Sequence, residues 1–254
     1  MDNVVNFKAR VEPTVKLPAI CIDIETCHAS EEAIQAEIEL YKGQSNWKPE
    51  TIEKNKAENA VKVREKSALL DCAPIASIAV CDESGESVVF HWLLLDSGQQ
   101  DGFYSHKSEN ERNMLIAFRD WANACCDDMT TIVGFNLGFD LPHLRIAYTR
   151  HNLKLPVLLV PRSGNQIADV MYLFTKYFTS KDMMFIGLEE VAKRLGIAVE
   201  GKQLHGADVP DYVKNGFADG DIGNDLHRDV IVYNAIDVLL TMRAFLICTG
   251  QAGE

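Results

Sequence analysis

The chain has 254 residues, 47% of them apolar and 24% charged, with a formal net charge of −12 at pH 7. Those values fit an ordinary globular chain with ample core, as one large domain or one domain carrying an insertion. They exclude a polybasic grip on long duplex nucleic acid, which needs many Lys and Arg, but not a strand end held locally by an enzyme.

No apolar run reaches the roughly 18 residues expected of a membrane span, and Met1 to Lys16 lacks the apolar centre of a signal peptide. Seven cysteines (21, 27, 72, 81, 125, 126 and 248) form no CxxC pair. They read as buried thiols of a reducing, cytoplasmic compartment, neither a disulfide frame nor a zinc site.

In chain order, Met1 to Leu17 reads as a loose lead-in to a short apolar strand, Ala19 to Thr26. Residues 30–70 follow as an inserted helical arm rich in Glu, Lys, Ala and Gln, with Trp47 and Pro49 between two helix-like runs. Its mixed charges suit a solvated face, or a lid that touches substrate backbone. Ile75 to Val80 and Ser87 to Leu95 are β-rich and joined by the turn signal Asp82-Glu83-Ser84-Gly85. Ser108-Glu109-Asn110-Glu111 reads as a capping box opening an amphipathic helix that ends near Cys126. Thr130 to Phe135 predicts another strand, Leu137 to Asn152 a helix, and Gln166 to Phe174 a strand passing into helix. Leu188 to Leu195 predicts a short helix and Asp225 to Cys248 a long terminal one. Strands alternating with helices give an α/β sheet with helices packed on its faces.

Three acidic elements stand out. In Ala19-Ile20-Cys21-Ile22-Asp23-Ile24-Glu25-Thr26, Asp23 and Glu25 are two apart and project from one strand face. Two acids so placed are costly unless a cation offsets them; the bland alternative is a solvated edge strand. Gly134-Phe135-Asn136-Leu137-Gly138-Phe139-Asp140 marks a tight strand-to-helix turn that delivers Asp140 to a helix start, where a plain cap is the alternative role. In the last helix, Tyr233 and Asp237 are four apart and share a face, and an Asp inside Ala235-Ile236-Asp237-Val238-Leu239-Leu240 is hard to explain by packing. Asp169 reads as a cap or a supporting carboxylate.

Taken in order, Asp23-x-Glu25, Asn136 through Phe139-Asp140, and Tyr233-x-x-x-Asp237 resemble the three-motif signature of DEDD-type 3′→5′ exonucleases, in the Tyr-containing branch. The stretch Gly187 to Gly196, the turn Gly206-Ala207-Asp208-Val209 and the tail Asp237 to Leu246 are similar to stand-alone bacterial and phage exonucleases related to the proofreading domain of family-B DNA polymerases. The resemblance spans about Pro18 to Thr249. It implies an RNase H-like (DnaQ-like) mixed β-sheet flanked by helices, and an enzyme that hydrolyses single-stranded DNA from its 3′ end to nucleoside 5′-monophosphates.

The resemblance also implies two Mg²⁺ or Mn²⁺ ions held by Asp23, Glu25, Asp140 and Asp237, at the usual separation of about 3.5–4 Å. Asp23 would bridge the ions, Glu25 and Asp237 would favour the one that activates water, and Asp140 would reach the other through water. Tyr233 would orient the attacking water. Asn136 and Phe139 would line the terminal-nucleotide pocket, Leu137 either the pocket or the core, and the backbone N–H of Thr26 would meet the 3′-hydroxyl. His28 and His143 read as supporting residues, His205 as a residue of a Gly-flanked turn that could touch a phosphate, and Trp92 and Trp121 as core. Trp47 is an aromatic on the arm that could stack on a base. The rival readings are an exoribonuclease with the same site, as in RNase D, and a non-catalytic nuclease fold docking on a polymerase or another replication or repair protein.

Overall fold

The structure, a computed structural model, describes residues 16–44, 46–100, 102–161, 166–179, 186–219 and 222–252. Most of the expected lead-in, Met1 to Leu17, lies outside them. Seven strands form one sheet: β1 (Ala19–Thr26), β2 (Ile75–Asp82), β3 (Ser87–His91), β4 (Gly98–Gln99), β5 (Tyr104–Lys107), β6 (Thr131–Gly134) and β7 (Ile167–Asp169), in the order β4-β5-β3-β2-β1-β6-β7. Central β1 runs antiparallel to β2 and parallel to β6, and β6 runs parallel to β7. The sheet is therefore mixed, and the adjacent parallel strands β1, β6 and β7 end along one rim.

Alternation along β1 divides the core. Ile20, Ile22 and Ile24 join an apolar layer with Met114, Leu115 and Phe118 of α3 (Glu111–Cys125) and Leu141 and Leu144 of α4 (Leu137–Arg150). Ala19 and Cys21 face the other layer, with α5 (Val170–Phe178), α6 (Leu188–Arg194), α7 (Val209–Ala218) and α8 (Gly223–Cys248). Asp23 and Glu25 continue that second row. Helix α8 lies across β1, β2, β3 and β6. By length and composition it would pass for a membrane span, although no unbroken apolar run in it is that long. Yet 67% of its most apolar window is buried in this fold, so packing explains its apolarity.

The chain 31–65 forms α1 (Glu31–Leu40) and α2 (Pro49–Glu65). Ile34 and Ile38 of α1 bury against Ala29 and Ala73, with Ala60 and Val63 of α2 half-covered alongside. No residue of α2 is fully buried, so this helix is held mainly by one side and by the Arg64–Glu31 ion pair.

The hairpin turn forms as expected: the Asp82 carboxylate accepts from the Ser84 and Glu86 N–H groups. The capping box does not. Asn110 caps α3 by accepting from Asn113 N at 3.0 Å. Glu111 instead ties distant segments together, accepting from Ile75 N and Arg150 and contacting His151. Strands β4 and β5 and helix α7 went unread, because short polar strands such as Tyr104–Lys107 carry no alternation to detect.

Candidate active site

Asp23 and Glu25 stand near the end of β1, on the face that α8 covers. Their register partners on β2 are Ala79 and Ser77, small residues that leave room above the sheet. A register shift between Glu25 and Thr26 bends the strand there, a common way to aim a side chain out of the ladder. Both residues are half-buried, and Asp23 lines the cleft above the sheet. Asn234 of α8 donates to Ser77 Oγ at 3.1 Å, fixing the helix to the sheet beside Glu25.

Helix α8 brings Tyr233 and Asp237 over the same point. Carboxylate oxygens of Asp23, Glu25 and Asp237 all lie within 4.8 Å of one another, from residues more than 200 positions apart in sequence. Lys202, which sequence reasoning missed, reaches the cluster from the loop after α6. Its Nζ lies 2.8 Å from Asp237 Oδ1, 3.3 Å from Glu189 Oε1 and 4.6 Å from the Tyr233 ring centroid. Its side chain is only 7% exposed. Lys202 follows Gly201, whose φ of 77 is a left-handed turn that glycine takes without strain.

Asp140 arrives by a different route. Strand β6 ends at Gly134, where a Cβ would strike the Leu137 side chain and lie 3.1 Å from Ile22 O. Asn136 then takes the left-handed conformation, φ 64, which Asn tolerates better than most residues. Asp169 braces this turn: its carboxylate accepts from Asn136 N at 3.3 Å, Leu137 N at 2.9 Å and Tyr172 N at 3.3 Å. One side chain thus caps α5 and pins the start of α4. In the first turn of α4, Asp140 is 4% exposed and its Oδ2 has no hydrogen-bond partner among the described residues.

Burial, then the neighbouring Asp237 carboxylate, raises the Asp23 pKa well above the carboxylate range. Glu25 is raised by burial and by Asp23, Asp237 and Asp140, and Asp140 by burial, Asp23 and Asp169. Burial also raises Asp237, against the pull of Lys202. Burial would lower Lys202, but Asp237 and Glu189 hold its ammonium above its ordinary value. Lys202 is one cation among four acids. The orphaned oxygen of Asp140 and the gathered hard donors therefore fit further positive charge, of the kind a divalent metal ion brings. Burial and the carboxylates of Asp237, Glu25 and Asp23 push the Tyr233 phenol far above its usual pKa, so it stays protonated.

The cleft above this cluster measures about 640 Å³, and Phe135, Lys193, His205 and Gly206 line it with Asp23, Lys202 and Tyr233. A Cβ at Gly206 would sit 3.1 Å from the Tyr233 hydroxyl, so glycine leaves that oxygen its space. Asn136 is exposed at the turn and Phe139 is half-buried, its ring 4.6 Å from that of His143. Leu137 is 3% exposed and packs in the apolar layer with α3. The Thr26 hydroxyl is committed to Ala68 O at 2.8 Å. His28 bridges Ser67 Oγ and Asp211 Oδ1, joining the end of the arm to α7. Trp121 stacks on Phe118 in the core, Trp92 stacks on Phe217 half-exposed, and Trp47 lies half-buried between α1 and α2.

In comparisons with known proteins, the model of a family described as RNase_H superfamily matches residues 82–245. The matched span includes Asp140, Lys202, Tyr233 and Asp237 but begins after β1. No curated protein matches the chain.

Proposed function

This chain belongs to the RNase_H superfamily, and on that premise we propose that it is a metal-dependent 3′→5′ exonuclease of the Tyr-containing DEDD type, acting on single-stranded DNA. Superfamily membership and the acid cluster support a nuclease that works with divalent metal. The observation that carries the finer reading is the convergence of Asp23, Glu25 and Asp237 within 4.8 Å, with Tyr233 one helical turn before Asp237 on the same face.

Asp23, Glu25, Asp140 and Asp237 would hold two Mg²⁺ or Mn²⁺ ions. When bound, such ions supply Lewis-acid activation of water and charge neutralisation at the phosphate. The protein's own groups do the rest. Tyr233, protonated and packed against Lys202, holds a water by hydrogen bonding rather than taking its proton. Lys202 fixes the Asp237 carboxylate and keeps cationic charge beside the scissile group. Asn136 and Phe139 flank the terminal nucleotide, and the Thr26 N–H meets its 3′-hydroxyl. Hydrolysis would then release nucleoside 5′-monophosphates one at a time.

The test uses 5′-labelled single-stranded DNA and RNA of one sequence, each with a free or a 3′-phosphorylated end, in Mg²⁺, Mn²⁺ or EDTA. The expected result is a metal-dependent ladder shortening from the free 3′ end, stronger on DNA. A stronger ladder on RNA would make the chain an exoribonuclease with the same site. Internal cuts, or cleavage indifferent to the state of the 3′ end, would overturn the polarity. Binding without cleavage would leave a docking module.

A further inference from the structure

Helix α5 carries an exposed aromatic face that the fold does not use. Tyr172 is 58% and Tyr177 64% exposed, in a helix whose Val170 and Phe174 are buried in the core. Lys176 stands between them, its Nζ 5.4 Å from one ring centroid and 5.0 Å from the other. Phe178, also exposed, stacks on Phe174 at 5.8 Å with an interplanar angle of 5°. Two tyrosines bracketing a lysine make a surface suited to flat π-systems that carry negative charge.

The helix that carries this face starts beside the candidate site. Asp169 joins Tyr172 N, in the first turn of α5, to Asn136 N and Leu137 N of the turn that presents Asp140. Phe135, which lines the cleft, packs in the same apolar cluster as Val170 and Phe174. Helix α5 thus starts at the rim where the acids gather and carries its tyrosines outward. A duplex presents its bases edge-on and internally stacked, whereas a single strand can lay bases on exposed rings while a lysine meets its phosphates.

We propose that Tyr172, Lys176 and Tyr177 form a stacking platform for single-stranded nucleic acid, gripping nucleotides beyond the one in the cleft. The inference rests on the exonuclease reading and deepens it. In a chain of net charge −12, such a platform supplies affinity from base stacking where few cations are at hand. Stacking reads the base and not the sugar, so the platform grips DNA and RNA alike and leaves any choice between them to the cleft.

The test measures binding of short oligo(dT) and oligo(U) by fluorescence anisotropy in EDTA, and Mg²⁺-dependent hydrolysis of the dinucleotide pTpT, the shortest strand with a scissile bond. Tyr172→Ala and Tyr177→Ala should each weaken both oligonucleotides about tenfold or more. They should leave pTpT hydrolysis and thermal unfolding unchanged, and Tyr172→Phe and Tyr177→Phe should retain binding. Lys176→Gln should lower the salt dependence of binding by about one ion. Unchanged oligonucleotide affinity in both alanine variants overturns the platform, as does an equal loss of pTpT hydrolysis. A changed oligomeric state with unchanged affinity would make the face a contact between copies, and also overturns it. A wild-type protein that hydrolyses neither pTpT nor any oligonucleotide fails the exonuclease reading itself, a separate outcome from failure of the platform.

Discussion

At the residue scale, the tension in the candidate site is that its carboxylates repel one another more than the fold can soothe. Asp23 has a raised pKa because burial and Asp237 both oppose its charge. Asp23→Asn should therefore stabilise the metal-free protein, seen as a melting temperature raised by about 2 °C or more in EDTA, while abolishing cleavage. An unchanged or lowered melting temperature would show that the cluster is not strained.

Lys202 has the opposite role. Lys202→Met removes the ammonium between Asp237 and Glu189 from a nearly buried position, and should cost about 1–3 kcal/mol by urea unfolding, because the acids can answer partly by taking up a proton. Its cleavage rate should fall while nucleotide binding remains. Strand and helix periodicity placed Asp23 beside Glu25 and Tyr233 beside Asp237, and the resemblance to DEDD-type exonucleases implied that the two pairs meet. Lys202 was not legible, because it sits in an irregular loop where no spacing rule says which way a side chain points.

At the scale of elements, the turn between β6 and α4 is the most exacting piece. Its three devices are the close approach at Gly134, the left-handed Asn136 and the double-ended Asp169 brace. Asp169→Ala should cost about 1–2 kcal/mol, as loss of a helix cap does. It should also lower kcat more than it raises KM, since it loosens the placement of Asp140. Equal activity at reduced stability would confine Asp169 to capping.

Periodicity found the sheet centre and the long helices because their apolar residues repeat cleanly. It misassigned the start of α3 because Ser108 and Glu111 have the right spacing for a capping box. Glu111 gains more from Ile75 N, Arg150 and His151, and Asn110 takes the cap. Tyr172 and Tyr177 drew no notice in the sequence, since exposure of an aromatic cannot be read until the buried side of its helix is known.

At the scale of the whole molecule, two sets of groups pull stability in opposite directions with pH. His91 is fully buried in β3, and burial, with the nearby His106, holds its pKa down to about 3. Burial also lowers His106, His143 and His227. In the unfolded chain these imidazoles take up protons near pH 6.5, and in the fold they do not, so stability falls as pH drops below that value. For His91 alone the loss should reach about 2 kcal/mol by pH 5 and continue towards pH 3. The site carboxylates, raised in the fold, favour the folded protein as pH falls through their raised pKa values, a contribution that bound metal would suppress. Urea unfolding from pH 7 to 4 in saturating Mg²⁺ should therefore show a steep acid limb, flattened in His91→Leu. An identical slope in that variant would remove His91 from the account.

If β1, α4 and α8 converge on a divalent-metal site, isothermal calorimetry of Mn²⁺ added to the protein should show saturable binding that weakens at least about 100-fold in Asp23→Asn and in Asp237→Asn while both variants stay folded. Binding of the same strength in wild type and both variants would contradict that convergence.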